Sequence, residues 1–432
     1  MAQIYTNCYI NISADASQNG AGGLFRDRDA AAYHHFRMRG PERTGYQEYL
    51  CFSPSWLDEV ELAPLKKRAW VVQERFLAPR VIHFSESQVH WECAELITSE
   101  SVPDNLYISP RTTLTFRKSP ACKSIGGQPA DIIGRFRLWT RLVGSYSRAM
   151  LTFVTDRPVA IAGLARAVCH LTNLGPHEYV CGHWRPHFIP DIMWFTKTSL
   201  RRLKNNFPSW SWLSVDGDFT NLCFWNYGEG KWASLAELER VDVIQDARND
   251  GFVSIESASA NIWASLCRGI LSTSKYIARP SDTGQFDSLL VLSIGQHVLR
   301  CGNQVVMTFD DGGSGISANM TKREIYLLLA GHDVRQTEAR DQKSTTINIS
   351  LSTSNKPATQ SFKNIQLSAG TNVHCLIITP TGKTGTFQRI GFLEFVGEAC
   401  PPNLLEVFCG TNIDAELYED LDDRERYLFT LV

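Results

Sequence analysis

Apolar and polar positions follow two rhythms along this chain, and the change falls near residue 236. Before it, the clearest segments carry helical spacing. After it, short alternating runs take over. The sharpest helical segment starts at Leu65. Leu65, Ala69, Val72 and Phe76 share one face of a 3.6-residue wheel, Trp70 and Leu77 widen it, and Arg68, Val71 and Arg75 take the opposite side. Gln73 falls in the middle of the apolar arc and Glu74 at its edge. Pro79 ends the helix, because it lacks an N–H and disfavours helical geometry at Ala78. Arg80 to Phe84 then reads as a strand, Ser85-Glu86-Ser87 as a tight turn and Gln88 to Cys93 as the returning strand. In that second strand Val89, Trp91 and Cys93 face one way, and Gln88, His90 and Glu92 the other. A buried amide without partners costs about 1–3 kcal/mol. Gln73 is therefore expected to be buried and bonded to a backbone group; the sharper alternative has Gln73 and Glu74 lining a site.

Other segments are read the same way. Tyr9 to Ala14 alternates like a strand, and Gln18 to Gly23 forms a Gly-rich loop. Residues 29–64 read as a connector, with His34 and His35 in a polar, Arg-rich stretch lacking ligand spacing. Residues 98–130 read as a Ser-, Thr-, Pro- and Gly-bearing linker. Asp131 caps a predicted helix from Ile132 to about Arg148, with Ile132, Phe136, Trp139, Val143 and Tyr146 as its stripe. Asp156, with Pro158 just inside, starts another through Leu171. Strand-like runs follow at Phe252–Glu256, Ala260–Leu266, Leu289–Leu299, Val305–Phe309, Ile325–Ala330, Thr346–Ser350, Val373–Thr379 and Arg389–Val396. Asp310 to Gly315 reads as a turn that lacks the length and Glu of a calcium loop. Residues 333–360 are polar and expected to be mobile. The expected organisation is an α/β part over 1–97, a linker over 98–130, a helical Trp-rich region over 131–235 and a β-rich domain over 236–432. The spacing of the last favours an antiparallel sandwich or barrel.

Composition narrows the functional classes. A net charge of −2 gives no bulk electrostatic case for nucleic acid or an anionic membrane. Twelve Cys stand singly with no C-x-x-C pair, which fits buried thiols in a reducing compartment better than zinc or a disulfide framework. The N-terminus lacks the basic and apolar regions of a signal peptide, and no run of about 18 apolar residues reads as a membrane span. The expected location is the cytosol, with the nucleus left open. The chain has eleven Trp, which cluster between Trp139 and Trp232; they read as packing first and as stacking platforms for a ligand second. His170, His177, Cys181, His183 and His187 fit no zinc spacing, so no metal is expected. No G-x-S-x-G, Walker A, G-x-G-x-x-G or H-E-x-x-H motif occurs, so no standard motif argues catalysis.

The opening stretch, Arg68-Ala69-Trp70-Val-Val-Gln73-Glu74-Arg-Phe-Leu77-Ala-Pro79-Arg80 with Trp91-Glu92-Cys93 behind it, resembles the third block of the fungal heterokaryon-incompatibility (HET) domain. Ala69 stands where that family usually has Gly. Met1, Ile4, Tyr5, Ile12, Ala14, Gly23, Leu24 and Phe25 resemble the family's preceding segment. Trp139, Val143, Tyr146, Ser147, Leu151, Thr152, Asp156, Ala160, Gly163 and Ala165, then Tyr179, Gly182, Trp184, Met193, Trp194 and the run Pro208 to Gly217, resemble the region that follows it. Two earlier family blocks are not found, so the expectation is a shortened HET domain, from a cut gene model or a diverged paralogue. The resemblance implies a protein of non-self recognition and programmed cell death, on a partial TIR-like α/β fold, working through protein contacts and self-association. A TIR-like NAD-cleaving enzyme is the alternative, with Glu74 the first catalytic candidate and Glu92 the second; an inert scaffold is the third reading. Since the family's earlier half is not found, the expectation is no autonomous enzyme and no cofactor.

Overall fold

The computed structural model describes residues 1–29, 36–42, 45–51, 56–103, 132–151, 153–196, 201–221, 231–246, 252–276, 287–295, 297–300, 305–310, 322–334, 371–397, 404–409 and 413–432. Content is mixed α/β, and the chain divides into two compact units, Met1–Tyr179 and Val180–Val432.

The first unit opens with α1 (Ala2–Thr6) and β1 (Asn11–Ser13). The stretch expected to be a plain connector contains a hairpin, β2 (Phe36–Glu42) and β3 (Gly45–Cys51), and then a π-type turn at Leu57–Glu61. A 3₁₀ turn, Pro64–Lys67, leads into α2 (Ala69–Leu77). The backbone at Ala78 is extended, as the following Pro79 requires. The hairpin β4 (Arg80–Phe84) and β5 (Val89–Cys93) follows, then β6 (Ile97–Ser99). These make a four-stranded sheet of order β1-β4-β5-β6. β1 runs parallel to β4, while the other pairs are antiparallel. Two longer helices, α3 (Ile132–Ser147) and α4 (Arg157–Thr172), pack with α2. Trp139, Val143 and Tyr146 are buried as their stripe predicts. Asp131 and the side chains of Ile132 and Phe136 lie outside the described residues, as do His34, His35 and 104–131. Asn173 closes α4 in the left-handed conformation, which Asn tolerates better than most residues.

One expectation for α2 fails. Val71 and Arg75, on the side opposite the apolar arc, are both buried at about the same level as Phe76. The helix lies between the sheet's inner face and α1, α3 and α4, so little of its circumference meets water.

The second unit begins with short pieces: 3₁₀ turns, two-residue strands and the four-residue α5 (Phe188–Asp191). Long helices thus end at Thr172 among the described residues. The strands are β7 (Lys231–Ser234), β8 (Glu237–Gln245), β9 (Ile255–Ala264), β10 (Leu266–Tyr276), β11 (Asp287–Ile294) and β12 (His297–Arg300). They continue with β13 (Val305–Phe309), β14 (Arg323–Val334), β15 (Val373–Pro380), β16 (Thr386–Phe395), β17 (Asp420–Leu421) and β18 (Tyr427–Leu431). All twelve belong to one sheet, whose main path is β8-β9-β18-β16-β15-β14-β10-β11-β12. The path is open among the described residues, so the barrel alternative does not hold. Pairing is antiparallel except for the short β16–β18 contact. The run expected at Leu289–Leu299 is instead a hairpin turning at Gly295, which has positive φ. Residues 346–350 and most of 333–360 lie outside the described residues. Gly331 is forced by packing, since a Cβ there would sit 2.2 Å from the Trp232 ring and 2.5 Å from the Ala233 carbonyl.

Candidate functional site

Strand alternation would normally put apolar residues inward. In the β4–β5 hairpin it is the polar set that faces in. Val81, His83, His90 and Glu92 are buried, whereas Ile82, Phe84, Val89, Trp91 and Cys93 are half-exposed. Register places His83 opposite His90 and Val81 opposite Glu92. α2 lowers Arg75 onto this face, and the turns before it supply Glu59, Glu61 and Lys66.

The groups form a continuous chain. Ser13 Oγ donates to Asp15 Oδ1, and Lys66 Nζ lies 3.2 Å from the same oxygen. Asp15 Oδ2 is 2.7 Å from His83 Nδ1, and His83 Nε2 is 3.2 Å from Glu92 Oε2. Arg75 Nε donates to that Glu92 oxygen at 2.6 Å. Its two terminal nitrogens make a fork to Glu61 at 3.1 and 2.9 Å, the bidentate geometry that suits a guanidinium. Trp56 Nε1 donates to Glu61 at 2.9 Å. A second pair adjoins: Glu59 accepts from the Ser87 backbone N–H at 2.8 Å and lies 2.9 Å from His90 Nε2. The Trp56 ring meets both His83 and His90 edge-on.

These contacts set the charge states. Burial alone would raise the Glu92 pKa, but the Arg75 charge and His83 bring it down to about 2. Burial likewise opposes ionisation of Asp15, yet Lys66, His83 and Ser13 hold it well below the usual carboxylate range. Burial disfavours the Arg75 cation, and Glu61 and Glu92 more than reverse that. Lys66 ends lowered, because burial outweighs Asp15. Chemically, the arrangement is an internal ion-pair network rather than a set of open acids.

The residues singled out by sequence separate into three groups. Glu92 lies inside the network. Gln73, Leu77 and Ala69 are buried on α2. Glu74 is half-exposed and bonds Tyr5 of α1, whose hydroxyl is pushed up to about 12 by burial and by that carboxylate. Arg68 and Arg80 are exposed, Arg80 lying 5.0 Å over the Tyr9 ring. Trp70, Pro79, Trp91 and Cys93 are half-buried. Gln73 is 3 % exposed, as expected, but its Oε1 makes no hydrogen bond. Its amide nitrogen instead packs against Gly163 of α4, where a Cβ would come within 1.8 Å. Sequence reasoning missed Asp15, Glu59, Glu61, Lys66, Arg75 and His83. The available signal was the polar side of the hairpin, which holds two His and a Glu in register.

The Trp-rich stretch behaves as core. Trp184, Trp194, Trp210 and Trp212 are buried, and three of them donate to backbone carbonyls: Trp194 to Trp210, Trp210 to Leu431, Trp212 to Gly182. Among the described residues, no three His, Cys, Asp or Glu side chains converge as a metal set, and no helix is long and apolar enough to cross a membrane.

The site and the fold around it define the first unit as a small mixed α/β domain whose inner sheet face carries a charge network. Residues 1–74 match the family model described as Heterokaryon incompatibility protein (HET). The N-terminal segment is therefore HET-family sequence, a partial HET domain that includes Asp15, Glu59, Glu61, Lys66 and the Gln73-Glu74 pair. The match ends before Arg75, His83 and Glu92. No significant match was found among curated proteins or among solved structures.

Proposed function

We propose that this chain is a HET-type protein of fungal non-self recognition and cell-death signalling, acting in the cytosol through protein contacts. The family match over residues 1–74 carries this reading. The parallel pairing of β1 with β4, with α2 between them in sequence, supports a TIR-like arrangement of the partial domain. The charge network supports contacts rather than chemistry. Each of its carboxylates is engaged by Arg75, Lys66, His83, His90, Ser13, Ser87 or Trp56. A group meant to stabilise a developing cation in a substrate needs a face open to it. Expression of the chain in a filamentous fungus tests the proposal. Growth arrest or cell death is expected, and normal growth at confirmed protein levels counts against it. NAD cleavage, with Glu74 or Glu92 as the carboxylate that stabilises the developing positive charge, is the second reading. Purified protein is expected to leave NAD unchanged, and consumption that Glu92→Gln abolishes would put the enzyme reading first.

A further inference from the structure

We infer that His83 is carried as a doubly protonated ring in the folded first unit, and that this charge is the pin of a latch joining the Asn11–Asp15 segment to the β4–β5 hairpin. The observation is geometric. The ring is wholly buried, with Nδ1 2.7 Å from Asp15 Oδ2 and Nε2 3.2 Å from Glu92 Oε2. A neutral imidazole has one N–H. It would donate to one carboxylate and turn a lone pair toward the other, and only the imidazolium satisfies both.

The surroundings argue the same way. From β1 and the residues after it come Ser13 and Asp15, and from β5 come Glu92 and the cross-strand His90. α2 contributes Arg75, bonded to the Glu92 oxygen that faces His83, and the turn before α2 contributes Lys66. The Leu57–Glu61 turn contributes Glu61, bonded to Arg75, and Glu59, which is taken up by His90 and Ser87. Trp56 closes the ring's edge. Within the linked chain, Asp15, Glu61 and Glu92 face Lys66 and Arg75. The His83 charge makes the count three against three, the balance a buried ionic cluster needs.

Loss of the ring proton follows directly. It leaves from Nε2, the longer of the two bonds, and passes to water. Glu92 then keeps Arg75 but faces a lone pair, and the cluster carries one uncompensated negative charge. The cluster is charge-balanced only with the ring proton in place. This inference goes beyond the proposed signalling role and does not depend on it.

The test uses the full chain with ¹⁵N-labelled histidine. Long-range proton–nitrogen correlation spectra are recorded from about pH 5 to about pH 8, the window in which an ordinary imidazole changes charge. At neutral pH both His83 nitrogens are expected to show protonated shifts. One nitrogen with the shift of an unprotonated ring overturns the inference. A second arm reads charge separately from shape. His83→Gln is expected to lower the thermal midpoint of the first unit and to speed hydrogen exchange in peptides spanning 69–93. Adding Asp15→Asn, which restores two carboxylates against two cations, is expected to recover part of the loss. A merely space-filling His83 predicts that the second substitution deepens the loss, and that result also overturns the proposal.

Discussion

In the first unit, six ionisable side chains meet beneath a two-stranded hairpin; the second has a core of aliphatic and aromatic residues and buries a guanidinium against the Trp194 ring. The first is a chain in which each charge answers another, from Lys66 and Asp15 through His83 and Glu92 to Arg75 and Glu61. The second is built on Leu327, Leu329, Cys375, Ile377, Leu393 and Phe395, all essentially inaccessible. A fully buried cation of this unit, Arg389, is held differently. The guanidinium stacks 3.2 Å from the Trp194 ring centroid and donates to the Ile192 and Trp194 carbonyls. One carboxylate, Asp310, stands 3.3 Å away and also receives Arg202. Burial pulls the Arg389 pKa down to about 10 in spite of Asp310, whereas Arg75 is raised. The sign of the shift separates a cation that dipoles and a π face tolerate from one that paired carboxylates demand. Apolar burial stabilises by about 25 cal/mol per Å² with no geometric requirement. An ionic network gives back its desolvation cost only when every member is in place. The first unit thus gains a specific arrangement more than it gains stability, and it has discrete ways to come apart.

The largest test of this contrast removes each cation. Arg75→Met leaves Glu61 with only Trp56 and Glu92 with only His83 in a buried setting, and is expected to destabilise the first unit by about 3–5 kcal/mol. Arg389→Met removes bonds to two carbonyls but leaves Asp310 its Arg202 partner, so about 1–3 kcal/mol is expected in the second unit. Denaturant titration with hydrogen exchange resolved by peptide measures both. Equal losses would erase the distinction between the two kinds of burial.

A packing test is smaller and more local. Gly163 on α4 leaves room for the Gln73 amide, and a Cβ there would overlap its nitrogen. Gly163→Ala is expected to cost about 1–3 kcal/mol through forced displacement. Gln73→Ala in the same chain is expected to relieve most of it, a coupling that a double-mutant cycle reads directly. Additive losses would mean that Gln73 and Gly163 do not share the contact.

Much of the local structure was legible, and the reason the site was not is visible in the same residues. Pro79 fixed the end of α2, the Ser85-Glu86-Ser87 turn set the hairpin, and alternation sorted the two faces of β5 correctly. Alternation does not say which face is buried. The usual rule picks Val89, Trp91 and Cys93, yet His90 and Glu92 are inside because partners from elsewhere neutralise them. Those partners are distant in sequence: Asp15 from His83 by 68 positions, Glu59 from His90 by 31, Glu61 from Arg75 by 14. A helical wheel likewise puts Arg75 opposite the apolar arc, since it holds no information about Glu61 and Glu92. In the second unit, alternating runs marked Val305–Phe309 and Val373–Pro380 well, but β8, with mostly exposed positions, has too weak an apolar rhythm to be seen.

The smallest effect in the mild range is the response to acid, and here the two units should differ in sign. Asp15, Glu59 and Glu92 have folded-state pKa values below those of free carboxyls, Glu92 at about 2. Their contribution is present above the unfolded value of about 4 and is lost as pH falls through the folded values. The first unit should therefore change little down to about pH 4 and then weaken steeply toward about pH 2. Glu394 in the second unit is raised instead, chiefly by burial and further by Asp333, with His374 and Asn372 opposing. Its contribution is present below the unfolded value and is lost as pH rises through the folded one, so mild acid should favour it. Peptide-resolved exchange, corrected for intrinsic rates, separates the two trends in one sample. Glu394→Gln should flatten the response in the second unit alone. If acid loosens peptides around Glu394 before those around Glu92, the network is not holding its carboxylates as described.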